Sequence, residues 1–259
     1  MATPRASTYN AESGGAIYAG VPSTVRLAAG DAVIVDGNSL AATSGLQFPP
    51  NGALWRHLSG LDGSGITALS SVGITAQSVA VGGQTTEQML SSASDVTALF
   101  AVGHTTLLIP WELRNSAFYS TASATPAQDA VDAMWDYCAA MRAAATSAGT
   151  TLKIVLPGTI PTYGARNGQT GTQGEIDAFN ALLLEIDALV SAQWSAHVDR
   201  YVDLRAGTVF GEFTDWTLDS FVAAGVYSGT VVNGPDYPDY IHLITYLVPA
   251  LSIASVLTN

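Results

Sequence analysis

From Asp31 onward, short apolar runs alternate with longer stretches whose apolar residues recur every three or four positions. An apolar run of four to eight residues bounded by turn formers reads as a buried strand, and a 3.6-residue period reads as an amphipathic helix. This pattern predicts strands at AVIVD (32–36), AQSVAV (76–81), TTLLIPW (105–111), TLKIVLP (151–157) and DRYVDL (199–204). Helices are predicted near 50–60, 86–100, 126–148, 174–194 and 239–257. The fourth is the clearest, with Ile176, Phe179, Leu183, Ile186, Leu189 and Val190 at the spacing of one face. Strands alternating with helices imply βαβ units around a parallel sheet, and five strands suit a three-layer α/β/α sandwich. Residues 1–30, rich in Ser, Gly, Ala and Pro and without sustained periodicity, read as an N-terminal arm, and 31–259 as one domain. Two stretches, 158–174 and 205–238, fit neither element, and long irregular segments in compact domains are often functional.

Composition narrows the function. The chain has 259 residues, 48% of them hydrophobic, enough to fill a sizeable core. Only 12% are charged, with 9 basic against 21 acidic residues and a net charge of -12. Phosphate binding needs clustered Lys and Arg, so nucleic acid is excluded as a partner. One cysteine, Cys138, allows neither an internal disulfide nor a cysteine-based zinc cluster, and its helical surroundings read as a buried structural thiol. No run approaches the ~18 apolar residues of a membrane span, and the first twenty residues lack the apolar core of an export signal. The chain as given therefore reads as soluble and without cofactor; secretion or attachment to a virion stays open, as does the oligomeric state.

In an open parallel sheet, ligands bind beyond the carboxyl ends of the strands. Four segments lie at such positions: DGNSL after the first strand, VGGQTT after the second, WELRNS after the third, and DYPDYIHL before the last helix. They supply Ser39, Gly83, Asn115, and the pair Asp239 and His242. A serine hydroxyl becomes a nucleophile only when an imidazole removes its proton and a carboxylate holds that imidazole in the right tautomer. His242 is the candidate base and Asp239 its orienter. The backbone N–H groups of Ser39 and Gly83 and the side-chain amide of Asn115 are candidate donors to an oxyanion. His104 and His197 fall at the entry ends of strands, and His57 follows a helical pattern, so His242 is also the best base by elimination. Glu112 and Arg114 flank the end of the third strand and are expected to pair. Asp36 is expected to bond nearby loop amides.

The order of these residues, with the serine in a G-[DN]-S-L turn near the N-terminus and Asp-x-x-His near the C-terminus, resembles the SGNH hydrolases, also called the GDSL esterases and lipases. That resemblance implies a flavodoxin-like α/β/α sandwich, with Ser39 as nucleophile, Gly83 and Asn115 completing an oxyanion hole with the Ser39 amide, and Asp239 and His242 finishing a triad. Asn38 stands where the family usually has aspartate, Arg114 and Ser116 where it often has Gly and Asp, and Leu243 where proline frequently follows the histidine. Gly82 competes with Gly83 for the second position. The expected activity is hydrolysis of small acyl esters, acetyl groups on carbohydrate above all, with a small-molecule or polysaccharide ester as substrate. Arg114, Tyr163 and Trp216 are candidate substrate contacts. The alternatives are a carbohydrate-binding module without activity and a virion or surface-associated part on the same fold.

Overall fold

The computed structural model describes residues 27–39, 41, 73–119, 123–159 and 172–203. The predicted helices near 50–60 and 239–257 lie outside these, as does the N-terminal arm up to residue 26. Among the described residues there are five strands: β1 (Ala32–Gly37), β2 (Thr75–Ser78), β3 (Thr105–Trp111), β4 (Thr151–Pro157) and β5 (Arg200–Val202). They form one all-parallel sheet in the order β2-β1-β3-β4-β5. This is the flavodoxin-like order, in which the chain starts in the middle of the sheet and winds out to both edges.

Each strand lies where a short apolar run predicts it. The expected second strand is regular only over Thr75–Ser78, at the edge of the sheet, where alternate residues face solvent. Its pairing nonetheless continues, because Val79 N–H donates to Val35 O at 2.9 Å and Val81 N–H to Gly37 O at 3.0 Å. The central strands are buried on both faces, as a parallel sheet inside an α/β sandwich requires. Ile34, Leu108 and Ile154 stand in register across three strands and join a core with Met134, Cys138 and Met141. Val33, Val35, Leu107, Ile109 and Val155 occupy the alternate positions and are equally buried.

The α-helices among the described residues are α1 (Thr86–Ser91), α2 (Ala93–Thr97), α3 (Arg114–Tyr119), α4 (Pro126–Ala148) and α5 (Gln173–Gln193). α4 has the predicted bounds because its signals are strong: Pro126 opens it and Gly149, at φ 72°, closes it in the left-handed conformation. α5 begins with a capping box between Thr172 and Glu175 and buries Phe179, Leu183, Ile186 and Val190 along the predicted face. The single helix expected over 86–100 is instead two short ones. Ser92 interrupts it, its hydroxyl bonding back to Gln88 O and Met89 O. α3, only six residues long, is an element that periodicity did not announce. Among the described residues, no helix is long and apolar enough to cross a membrane.

Cys138 is packed in this core, and burial pushes its thiol up to about 12, so it stays protonated at neutral pH. His104 stands at the amino end of β3, 3.8 Å from Asp31. His197 precedes β5 and stacks on the Trp135 ring at 4.4 Å. Both lie at the end of the sheet away from the carboxyl termini of the strands, as expected; His57 is outside the described residues.

The last residue of β1 closes the strand in a way only glycine permits. Gly37 has φ 139°, and a Cβ there would lie 2.2 Å from Trp111 O on the neighbouring strand. Backbone cannot yield as a side-chain tip does, so Gly37→Ala is expected to cost roughly 2–5 kcal/mol from combined strain and overpacking. Urea unfolding measures it; a variant as stable as the wild type would show that β1 and β3 separate freely at this point.

Candidate active site

The sheet order reverses between β1 and β3, and the crevice beyond the carboxyl ends of the strands at such a reversal is where doubly wound folds bind ligands. Four predicted site residues, Ser39, Gly83, Arg114 and Asn115, come to this end of the sheet. Ser39 follows β1 by two residues and is half-buried. Its turn is closed by Ala41 N–H donating to Asn38 O at 3.0 Å, and is tied to β3 by Asn38 N–H donating to Trp111 O at 3.3 Å.

The second segment bends beside it. Gln84 N–H donates to Val81 O at 3.2 Å, closing a turn over Gly82 and Gly83. Gly83 has φ 84°, which favours glycine. A Cβ added at Gly82 would lie 3.9 Å from the Ser39 Cβ, so this turn faces the candidate nucleophile. Asn115 reaches the same turn from α3, its amide Nδ2 donating to Gln84 O at 3.0 Å. The partner is an acceptor, which fixes the amide with its NH2 group toward the turn.

Two buried carboxylates organise these turns. Glu112, just past β3, has one oxygen accepting from the N–H groups of Asn115 and Ser116 (2.5 and 3.2 Å) and from Asn38 Nδ2 (3.5 Å). Its other oxygen accepts from the hydroxyls of Thr86 (2.6 Å) and Ser116 (2.7 Å). Glu112 thus satisfies the exposed N–H groups of the first turn of α3 and links the Ser39 turn, α1 and α3. Burial pushes its carboxyl above the usual carboxylate range, and the donors from Thr86, Ser116 and the Asn115 and Ser116 backbone draw it back. Between Glu112 and α3, buried Leu113 takes φ 120°, a strained conformation for a branched side chain at the point where the chain turns from strand to helix.

Asp36, on β1, is the second. One oxygen accepts from Gly37 N–H (2.7 Å) and Gln84 Nε2 (3.0 Å), and the other from the Tyr137 hydroxyl of α4 (2.6 Å). Its pKa is raised because burial outweighs these donors. The structural role expected for Asp36 is the one observed. The pairing expected between Glu112 and Arg114 gives way to a different arrangement. Glu112 is occupied by hydroxyls and amides, while the buried Arg114 guanidinium lies over the Phe179 ring at 5.0 Å, with Nη1 3.5 Å from Asn115 Oδ1. A planar cation of low hydration is stabilised by an aromatic face as well as by a carboxylate.

Asp239, His242, Tyr163 and Trp216 lie outside the described residues. Gln84, Thr86, Ser116 and Tyr137 join this end of the sheet although no motif or periodicity announces them, and Glu112 does more than the pairing expected of it. One signal was available: a carboxylate a few residues before a helix start is a common acceptor for first-turn N–H groups, and WELRNS carries it.

No family model matches the chain, and neither does any curated protein sequence. Solved structures do. An acetylxylan esterase from Geobacillus stearothermophilus is 14% identical with a TM-score of 0.51, covering 91% of this chain and 98% of its own. A phospholipase A1 from Streptomyces albidoflavus is 16% identical with a TM-score of 0.55, covering 88% and 97%. A member of the lipolytic G-D-S-L family from Veillonella parvula is 11% identical with a TM-score of 0.51, covering 87% and 95%. At these identities the likeness is one of fold.

Proposed function

We propose that this chain, which has the fold of the SGNH/GDSL hydrolases, is a serine ester hydrolase that cleaves small acyl esters, with acetyl groups on carbohydrate as the favoured substrates. The observation that carries this reading is the convergence on one turn. The Gly82–Gly83 turn faces Ser39, and the Asn115 amide bonds the carbonyl of the residue that closes that turn, so the candidate nucleophile and the candidate oxyanion donors lie at one end of the sheet.

In the reaction, His242 removes the proton from Ser39 Oγ as the oxygen attacks the ester carbonyl, and Asp239 holds the imidazole and stabilises its charged form. Negative charge moves to the carbonyl oxygen, which accepts from the N–H groups of Ser39 and Gly83 and from Asn115. One N–H of the Asn115 amide holds Gln84 O, and the other serves the oxyanion. The protonated His242 then gives its proton to the departing alcohol, leaving an acyl group on Ser39. Water, deprotonated by His242, releases the acid and restores the serine.

The acetyl preference is supported by the small residues around Ser39 and by the acetylxylan esterase among the structures of this fold. Arg114, Tyr163 and Trp216 remain the proposed contacts to the alcohol part of the substrate. The test is a 4-nitrophenyl ester series: kcat/KM is expected to be highest for acetate or butyrate and to fall by about tenfold or more for octanoate, a loss of ~1.4 kcal/mol in transition-state binding. A preference for octanoate overturns the small-acyl reading, and no turnover of any ester favours the carbohydrate-binding module.

A further inference from the structure

Gln84 is the residue on which the three segments of the crevice meet. Its buried side chain donates through Nε2 both to Asp36 Oδ1 at 3.0 Å and to Gly37 O at 2.7 Å, gripping the end of β1. Both partners are acceptors, so the amide has one orientation that satisfies it. The Gln84 backbone N–H closes the Gly82–Gly83 turn on Val81 O, and its carbonyl accepts from Asn115 Nδ2. One residue therefore holds the strand that delivers Ser39, the turn that carries the Gly83 N–H, and the side chain of Asn115.

Besides Gln84, the Val81 N–H bond to Gly37 O ties the start of this turn to the end of β1. Glycines bring no side chain to pack, and among the described residues a Cβ added at Gly83 would meet nothing within 4 Å. Oxyanion donors act only if their positions are set before the charge develops, within a fraction of an ångström. Asp36 is itself clamped by the Tyr137 hydroxyl of α4, so the fixed point for the turn lies in the helical layer, and a chain of hydrogen bonds runs from Tyr137 through Asp36 and Gln84 to Asn115.

We propose that Gln84 is a positioning residue that sets the geometry of the oxyanion hole, by anchoring the Gly83 turn and the Asn115 amide to the end of β1. It touches neither substrate nor Ser39 Oγ in the reaction, so its removal weakens stabilisation of the transition state while leaving ester binding nearly intact. This rests on the serine hydrolase reading given above.

The test uses Gln84→Met, which keeps the volume and loses the donors, beside Gln84→Ala, with folding checked by circular dichroism. Both are expected to lower kcat for 4-nitrophenyl acetate by about 10- to 100-fold with KM changed by less than about threefold. Inactivation by a serine-directed phosphonate, whose phosphoryl oxygen gains charge in the same place, is expected to slow by a similar factor. Tyr137→Phe, one bond further back and conservative in packing, is expected to lower kcat by about 3- to 10-fold at constant KM, and it decides the matter if the Gln84 variants do not fold. A folded Gln84→Met enzyme with wild-type kcat, or a rise in KM alone, overturns the proposal while the hydrolase reading stands. A wild type that hydrolyses no ester overturns both.

Discussion

Replacing Ser39 with alanine is expected to lower kcat/KM for 4-nitrophenyl acetate by at least about 10,000-fold, the scale on which hydroxyl nucleophiles contribute in triad enzymes. The reason is chemical. Without Oγ, no acyl-enzyme forms, and only direct attack by water near the oxyanion donors remains. The turn itself should survive, since its closing bond and its tie to β3 are backbone contacts of Ala41 and Asn38 that do not involve the serine hydroxyl. The variant is therefore expected to fold, as circular dichroism would check. A variant with activity within tenfold of the wild type would mean that the crevice uses another nucleophile.

The second large effect is on stability. Glu112 is fully buried and accepts from two hydroxyls, two backbone N–H groups and the Asn38 amide. Replacing it with leucine removes the acceptor that all of these donors share. Each buried donor left unsatisfied costs ~1–3 kcal/mol, and partial rearrangement brings the expected loss for Glu112→Leu to about 3–5 kcal/mol. Glu112→Gln should be much milder, at about 1–2 kcal/mol. Its remaining oxygen can still accept from the Asn115 and Ser116 N–H groups, and the Thr86 and Ser116 hydroxyls can reverse to accept from its NH2. Urea unfolding of the pair measures the difference. Equal stability of the leucine and glutamine variants would show that the network contributes packing and no net hydrogen bonding.

The scaffold was legible where one physical signal dominates. β1, β3 and β4 are short apolar runs between turn formers, and α4 is framed by Pro126 and Gly149, residues whose backbone preferences leave little choice. The strand-end rule placed Ser39, Gly83 and Asn115 at one end of the sheet, and the structure has them there. Signals failed where the outcome depends on three-dimensional contacts. Nothing local marks Ser92 as a break in a helical stretch, because its hydroxyl competes with backbone bonds only once the helix exists. α3 is too short for a period and is launched by a strained Leu113 that no propensity favours. The polar residues Gln84, Thr86, Glu112 and Ser116 look in the sequence like solvated loop residues. They become core only because β1, β2 and β3 end side by side, so that one carboxylate can collect donors from segments more than seventy residues apart. Burial of polar groups is visible in sequence only through its partners, and here the partners are non-local.

Ser39 as the nucleophile of an ester hydrolase is open to direct test by active-site labelling. After treatment with a serine-directed phosphonate, intact mass and peptide mapping are expected to find one adduct per chain, on the peptide carrying Ser39, formed at the rate at which esterase activity is lost and absent from the Ser39→Ala variant. An unlabelled protein, or an adduct on any other residue that accompanies the loss of activity, would contradict the account.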